Sequence, residues 1–196
     1  MSYDFLEELR RVGALKQGHF VLASGRHSDQ YVEKFDLLRQ PRATEQACAE
    51  LVRRLGEALD FDLIAGPTTG GILLAFEIGR QLGLPAAYAE RTEEGSAQRA
   101  FKRGTAIEPG TSVLVVDDIL TTGGSLRATL DAVDEAGAVT VAVAVLVDRS
   151  GGSVDFGVPL VALAELDIET WAADELPDWL AEIEITKPGT TAVPSR

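Results

Sequence analysis

Val113-Leu-Val-Val-Asp-Asp-Ile-Leu-Thr-Thr-Gly-Gly-Ser125 is the stretch from which the rest of the chain can be read. Val113 to Val116 form an apolar run too short for a helix and rich in β-branching, which predicts a strand buried on both faces. Asp117 and Asp118 are expected to end that strand. Adjacent carboxylates are unfavourable there unless solvent, a hydrated metal or ligand hydroxyls receive them. Thr121, Thr122, Gly123, Gly124 and Ser125 follow, and the pattern turns helical at Leu126. Small residues let the backbone bend so that N–H groups and hydroxyls converge on one anion, and the next helix adds its positive end. Acidic acceptors thus lie beside a cradle for a phosphate monoester. A sugar phosphate has those two ends.

Before this element the chain alternates strand, loop and helix. Tyr3 to Val12 has helical spacing. Residues 18–34 read as two short strands joined by a polar glycine turn, an antiparallel hairpin outside the main sheet. Pro41 suits a helix start, with Ala47, Leu51, Val52, Leu55 and Leu59 as its apolar face. Phe61 to Ala65 is a strand, Gly66-Pro-Thr-Thr-Gly-Gly71 a loop, and Ile72 to Leu82 a helix closed by Gly83. Ala86 to Ala89 starts another strand. Residues 91–104 are polar and form a mobile loop or an exposed hairpin. After the helix Ser125–Ala136, stopped by Gly137, come strands over Thr140–Val147 and Leu160–Leu166. Residues 171–186 suit an amphipathic tail helix. The alternation specifies an α/β fold, a central parallel sheet flanked by helices. The loops 66–71, 117–125 and 148–152 all fall at strand carboxyl ends, where such sheets bind ligands.

Composition narrows the class. The 196 residues are 45% apolar and 25% charged, enough for one large domain with a real core. No apolar run approaches a membrane span, and residues 1–12 are amphipathic rather than a leader, so a cytoplasmic location is expected. Cys48 is the single cysteine and reads as a buried structural thiol. The net charge of −13 opposes nucleic acid and anionic membranes, so neither is expected as a partner. It also opposes a polyanionic substrate, whose site must then carry its own cations or recruit Mg²⁺. Arg91, Arg99, Lys102 and Arg103 on segment 90–104 are the dense positive charge available for a closing lid. Thr68, Thr69 and Gly70 offer a second anion cradle. The loop is neither a Walker P-loop nor GxGxxG. Arg149, in Asp148-Arg-Ser-Gly-Gly152, is suited to a carboxylate or an imide-like edge, or else to an ion pair with a nearby acid.

The string 113–125 closely resembles the phosphoribosyl-pyrophosphate (PRPP) signature of type I phosphoribosyltransferases. Gly18-His-Phe-Val-Leu-Ala-Ser-Gly-Arg-His-Ser-Asp-Gln-Tyr31 resembles the N-terminal hood of orotate phosphoribosyltransferases. Asp148 to Pro159, the Gly13-Ala-Leu after the first helix and the terminal Lys187-Pro-Gly extend that resemblance over the chain. It implies the type I fold with a small hood hairpin, and transfer of phosphoribose from PRPP to N1 of orotate. Mg²⁺ would be carried mainly by the diphosphate and ribose hydroxyls rather than by protein ligands. By motif match, Asp117 and Asp118 hold the ribose hydroxyls. Ile119 and Leu120 meet PRPP, Thr121 to Ser125 hold the 5-phosphate, and Thr68, Thr69 and Gly70 the diphosphate. Arg149, Thr121, Tyr31 and Ser24 meet orotate. Lid residues Arg91, Arg99, Lys102 and Arg103 meet PRPP, with Arg91 and Lys102 assisting catalysis beside the Asp pair.

The resemblance further implies a homodimer in which the lid reaches the neighbouring site. Residues 1–40 form the helix and hood, 41–170 the PRPP-binding core and 171–196 the tail. The family pattern is departed from at Ala23 and Gly70, where many members carry Lys, and in the spacing of the lid cations, which include no His. His19 and His27 read as structural. Two rivals remain: transfer to another nucleobase, against which the hood and Arg149 argue, and a non-catalytic PRPP-binding regulator, which would need a basic surface or a further domain.

Overall fold

The computed structural model describes residues 3–22, 24–56 and 60–186. Strand β6 (Ser112–Leu120) lies inside a six-stranded sheet of order β5-β4-β3-β6-β7-β8. The other strands are β3 (Leu63–Pro67), β4 (Ala86–Arg91), β5 (Arg99–Phe101), β7 (Val139–Asp148) and β8 (Leu160–Glu165). All neighbours are parallel except β4 and β5, which form an antiparallel hairpin. The exposed-hairpin alternative for residues 91–104 is therefore the observed one.

Because side chains alternate across a strand, β6 feeds two cores. Val113 and Val115 pack with Leu126 and Val133 of α5 (Gly124–Glu135) on one face. Leu114 and Val116 pack on the other with Leu74 and Ile78 of α4 (Gly70–Leu82), Leu51 of α3 (Pro41–Leu55) and Leu9 of α1 (Phe5–Arg11). Helices thus cover both faces.

Several boundaries differ from expectation. The aspartates do not end β6. The strand continues through Asp117 and Asp118 to Leu120, because its pairing with β7 persists to Leu120 opposite Asp148. Pairing with β3 stops earlier, at Ala65 opposite Val115. Both carboxylates therefore sit where one neighbour has turned away, which opens a gap beside an otherwise paired strand. Likewise β3 runs to Pro67, so the loop expected over 66–71 shrinks to Thr68-Thr69 before α4 begins. Helix α3 starts at Pro41 as its missing N–H favours, but stops at Gly56, whose φ of +70° leaves the helical region. Leu59, placed on its face from the sequence, lies outside the described residues, as do Ala23 and Lys187 to Gly189.

The hood is observed as β1 (Leu15–Val21) antiparallel to β2 (His27–Val32). A short helix, α2 (Lys34–Leu38), follows and was missed. The expected tail helix over 171–186 is not formed. Pro177 interrupts it, since proline supplies no N–H for a helical ladder. Only α6 (Asp178–Ala181) is helical there, and β9 (Ile185–Thr186) pairs with β1 to make a three-stranded sheet. Trp171 also exchanges backbone bonds with His27 at 2.9 Å in both directions. Hood and tail therefore form one unit.

Leu114 is fully buried in the core shared with α3 and α4. Leu114→Ala is expected to cost about 2–5 kcal/mol through lost burial and the cavity left behind. Urea unfolding should show a lower midpoint with an unchanged slope.

Candidate active site

Two glycine-rich turns meet at the carboxyl end of the sheet. After β6 the chain reaches Gly123, whose φ of +77° is left-handed and whose absent Cβ would stand 2.9 Å from Val154 Cγ1. No other residue type fits both demands. Asp117 and residues 119–126 line a recess of about 60 Å³ there. Helix α5 opens onto it with no side chain capping its N-terminus, so its first-turn N–H groups remain for an anion. Thr121, Thr122 and Ser125 are exposed around the recess. Helix α4 also begins without a side-chain cap, directly after the cis Thr68–Thr69 peptide. Strand and helix touch there: a Cβ on Gly66 would lie 2.4 Å from the Gly71 carbonyl oxygen.

Arg99 ties the two turns together. It is buried and donates to Thr68 Oγ1 at 3.0 Å, Ala89 O at 2.9 Å and Ser125 Oγ at 3.1 Å. Burial pulls its guanidinium below the ordinary range, and Asp117 partly offsets this. Arg99, expected on the lid, thus bridges the two cradles. Its inward side chain follows from strand alternation in β5, a segment too short to recognise in a polar stretch. The other lid cations are held on the surface. Arg91 donates to Ser96 O, Lys102 to Arg91 O at 2.6 Å and Thr92 O at 2.8 Å, and Arg103 pairs with Glu90 at 2.8 Å.

The aspartates point to opposite faces of β6. Asp118 meets α4 and the hood side, with Lys34 Nζ at 3.0 Å from its Oδ1. A Cβ on Gly70 would lie 1.7 Å from Asp118 Oδ2, so only glycine leaves room for that carboxylate. Asp117 faces the α5 side and accepts the Asp118 N–H at 2.8 Å. Burial first, then the charge of Asp118, holds Asp117 well above the usual carboxylate range.

Arg149 follows β7, its N–H bonded to Leu120 O at 2.8 Å. Its Nε is buried and without a partner among the described residues, and burial lowers its pKa. The ion pair with a nearby acid that the sequence left open is not formed: Asp148 Oδ1 accepts the Ser150 N–H instead. The charges of Arg149 and Lys34 act on the Tyr31 hydroxyl, whose pKa is nonetheless raised by burial. Tyr31 and Arg149 thus lie within electrostatic reach of each other. Ser24 is not: it lies on the exposed hood turn, with the Arg26 N–H at 3.4 Å from its Oγ. His19 Nε2 and His27 Nδ1 are 2.6 Å apart, buried, and His19 Nδ1 meets Ile183 O at 3.0 Å. They join hood to tail, away from the cradles. Burial pushes the Cys48 thiol up to about 12, which suits a core role.

A phosphoribosyl transferase domain model matches residues 36–156, which include both cradles, the Asp pair and Arg149. A curated orotate phosphoribosyltransferase of Caulobacter vibrioides is 43% identical over 188 residues, 95% of each chain. The chain belongs to the orotate phosphoribosyltransferase family. The solved orotate phosphoribosyltransferase of Aeropyrum pernix superposes with a TM-score of 0.71 at 30% identity, covering 82% of this chain and 92% of that one. An adenine phosphoribosyltransferase from Rhodothermus marinus shares the fold at 21% identity, with a TM-score of 0.64 over 83% and 98% of the two chains. Fold alone therefore does not choose the base. Membership of the orotate family makes the unpartnered Arg149 and the adjacent Tyr31 the residues to test for that choice.

The raised pKa of Asp117 has a stability consequence. The folded state keeps this proton to a higher pH than the unfolded chain, whose carboxyl ionises near pH ~4. Stability is therefore lost as pH rises through the window between the two values. Asp117→Asn removes that cost and is expected to stabilise by on the order of 1–3 kcal/mol at pH 8. Thermal unfolding should show a smaller gain at pH 5, and turnover should fall.

Proposed function

We propose that the chain transfers the 5-phosphoribosyl group of PRPP to N1 of orotate, giving orotidine 5′-monophosphate and diphosphate in pyrimidine synthesis. The observation that carries this is one end of one sheet: two uncapped helix N-termini bracketed by Arg99, beside the Asp pair and the unpartnered Arg149 Nε. In this reading Ile119 to Ser125 receive the 5-phosphate and Thr68, Thr69 and Gly70 the diphosphate. Asp117 and Asp118 accept the ribose hydroxyls. Arg149 meets the orotate carboxylate or imide edge, with Tyr31 against the ring and Thr121 beside it. Ser24 would have to approach from the hood turn.

The C1′–diphosphate bond loosens into an oxocarbenium-like state that N1 of orotate captures. No covalent nucleophile is needed, so positioning and charge stabilisation carry the rate. Arg91, Lys102 and Arg103 are proposed to meet the departing diphosphate. The first two now rest on backbone carbonyls, partners that a stronger anion displaces. Among the described residues no group of three His, Cys, Asp or Glu is gathered as a metal cage. The fit for Mg²⁺ is with an ion brought on the diphosphate beside Asp117 and Asp118, where it would neutralise leaving-group charge.

A homodimer is supported by Leu73 and Phe76, three residues apart on α4 and both exposed, Phe76 to 65%. The division into a hood (1–40), core (41–170) and tail (171–196) is proposed with hood and tail acting together through β9. No described helix is long and apolar enough to cross a membrane, and the single cysteine is a buried thiol, which supports a cytoplasmic setting.

Loss of orotate absorbance with PRPP and Mg²⁺, run beside adenine, hypoxanthine and uracil, is expected to show turnover with orotate alone. Turnover with another base, or PRPP binding without turnover, would overturn the proposal. Arg149→Ala should raise the KM for orotate by roughly ten- to a hundredfold, as expected for losing a charged hydrogen-bond partner, and leave that for PRPP nearly unchanged.

A further inference from the structure

Lys34 opens α2, three residues after Tyr31, on the segment that leaves the hood for the core. Its ammonium lies 3.0 Å from Asp118 Oδ1 and 2.8 Å from Oδ2. Asp118 is nearly inaccessible, with a side-chain exposure of 3%, whereas the Lys34 side chain is 36% exposed. The bonds at this carboxylate are unevenly used. Oδ1 accepts both Lys34 and the Ile119 N–H, the latter at 2.7 Å. Oδ2 is buried and, among the described residues, is approached by the Lys34 ammonium at 2.8 Å but by no donor in hydrogen-bonding geometry, which leaves it lone-pair capacity for a ligand hydroxyl.

The reason Lys34 can reach this place is on α4. Residues 66–71 carry no cation, and Gly70 leaves empty the space that Asp118 Oδ2 fills, where a Cβ would stand 1.7 Å away. A side chain at position 70 would displace the carboxylate from Lys34. The glycine and the lysine, far apart in sequence, are thus two halves of one arrangement.

We propose that Lys34 is a positioning residue for phosphoribosyl transfer: it holds the Asp118 carboxylate in the space vacated at Gly70, so that Oδ2 is presented to a ribose hydroxyl of PRPP. This rests on the assignment of the Asp pair to the ribose. Lys34 acts through Asp118 and touches neither reacting atom. A solvent-exposed ion pair contributes little, but a buried carboxylate left without its cation swings or neutralises, and its hydroxyl contact goes with it.

The test compares Lys34→Met and Lys34→Arg with the parent, by steady-state kinetics and PRPP calorimetry, each below its own melting temperature. Lys34→Met should raise the KM and Kd for PRPP about tenfold or more, the scale of one charge-assisted hydrogen bond, with the KM for orotate within twofold. Lys34→Arg should recover most of the loss. PRPP affinity within twofold of the parent for Lys34→Met overturns the inference. So does an equal rise in both KM values, or a loss that arginine does not relieve. If the parent itself fails to bind PRPP, the ribose assignment falls, and the inference with it. If Lys34→Met does not fold, Lys34→Gln is measured in its place and decides by the same criteria.

Discussion

Two adjacent carboxylates inside a paired strand are the constraint that the rest of this site answers. Strand geometry sends Asp117 and Asp118 to opposite faces of β6, which keeps their oxygens apart but commits both to a protein interior. Each face then supplies its own compensation. Lys34 comes to Asp118 from the hood side, and Arg99 places its charge near Asp117 from the hairpin β4–β5. The residual cost shows in Asp117, which holds its proton far above the ordinary range. Functional sites commonly retain groups whose burial is unfavourable to folding because the ligand needs them there.

Close backbone approach is the second condition. Gly66 and Gly71 let β3 and α4 meet without a side chain between them, and Gly70 yields its space to Asp118. The N-termini of α4 and α5 are then brought to one end of the sheet with no side chain capping either. Arg99 donates to Thr68 of one turn and to Ser125 of the other. The site is in this sense built of backbone more than of side chains. That suits a reaction in which anions must be held and little covalent work is done by the protein.

The hood depends on the tail for its own support. Two short strands alone would be marginal in water, and here β9 adds a third while Trp171 joins His27 and Trp179 packs edge-on to Trp171. The buried His19–His27 contact closes this unit around Ile183. Tyr31, on the outer strand of that sheet, packs against Phe20 of β1.

The apolar run 113–116, the alternation of strands with helical patterns, and the glycine turns at strand ends were legible because each is written in neighbouring residues: period, β-branching and turn chemistry act locally. They determined the α/β sheet, the order of its core elements and the location of the cradles, and the hood string carried the family. Tertiary structure alone decided what those residues do to one another. That β6 runs on past its aspartates depends on β7, which supplies hydrogen bonds after β3 has left. That Arg99 reaches both cradles depends on a three-residue strand pairing with β4. That residues 171–186 are no helix depends on Pro177 and on the edge of β1, and that Lys34 serves Asp118 depends on a glycine thirty-six positions away. Charge pairing and close approach are set by distance in space, and a linear pattern carries that information only where the partners are neighbours in the chain.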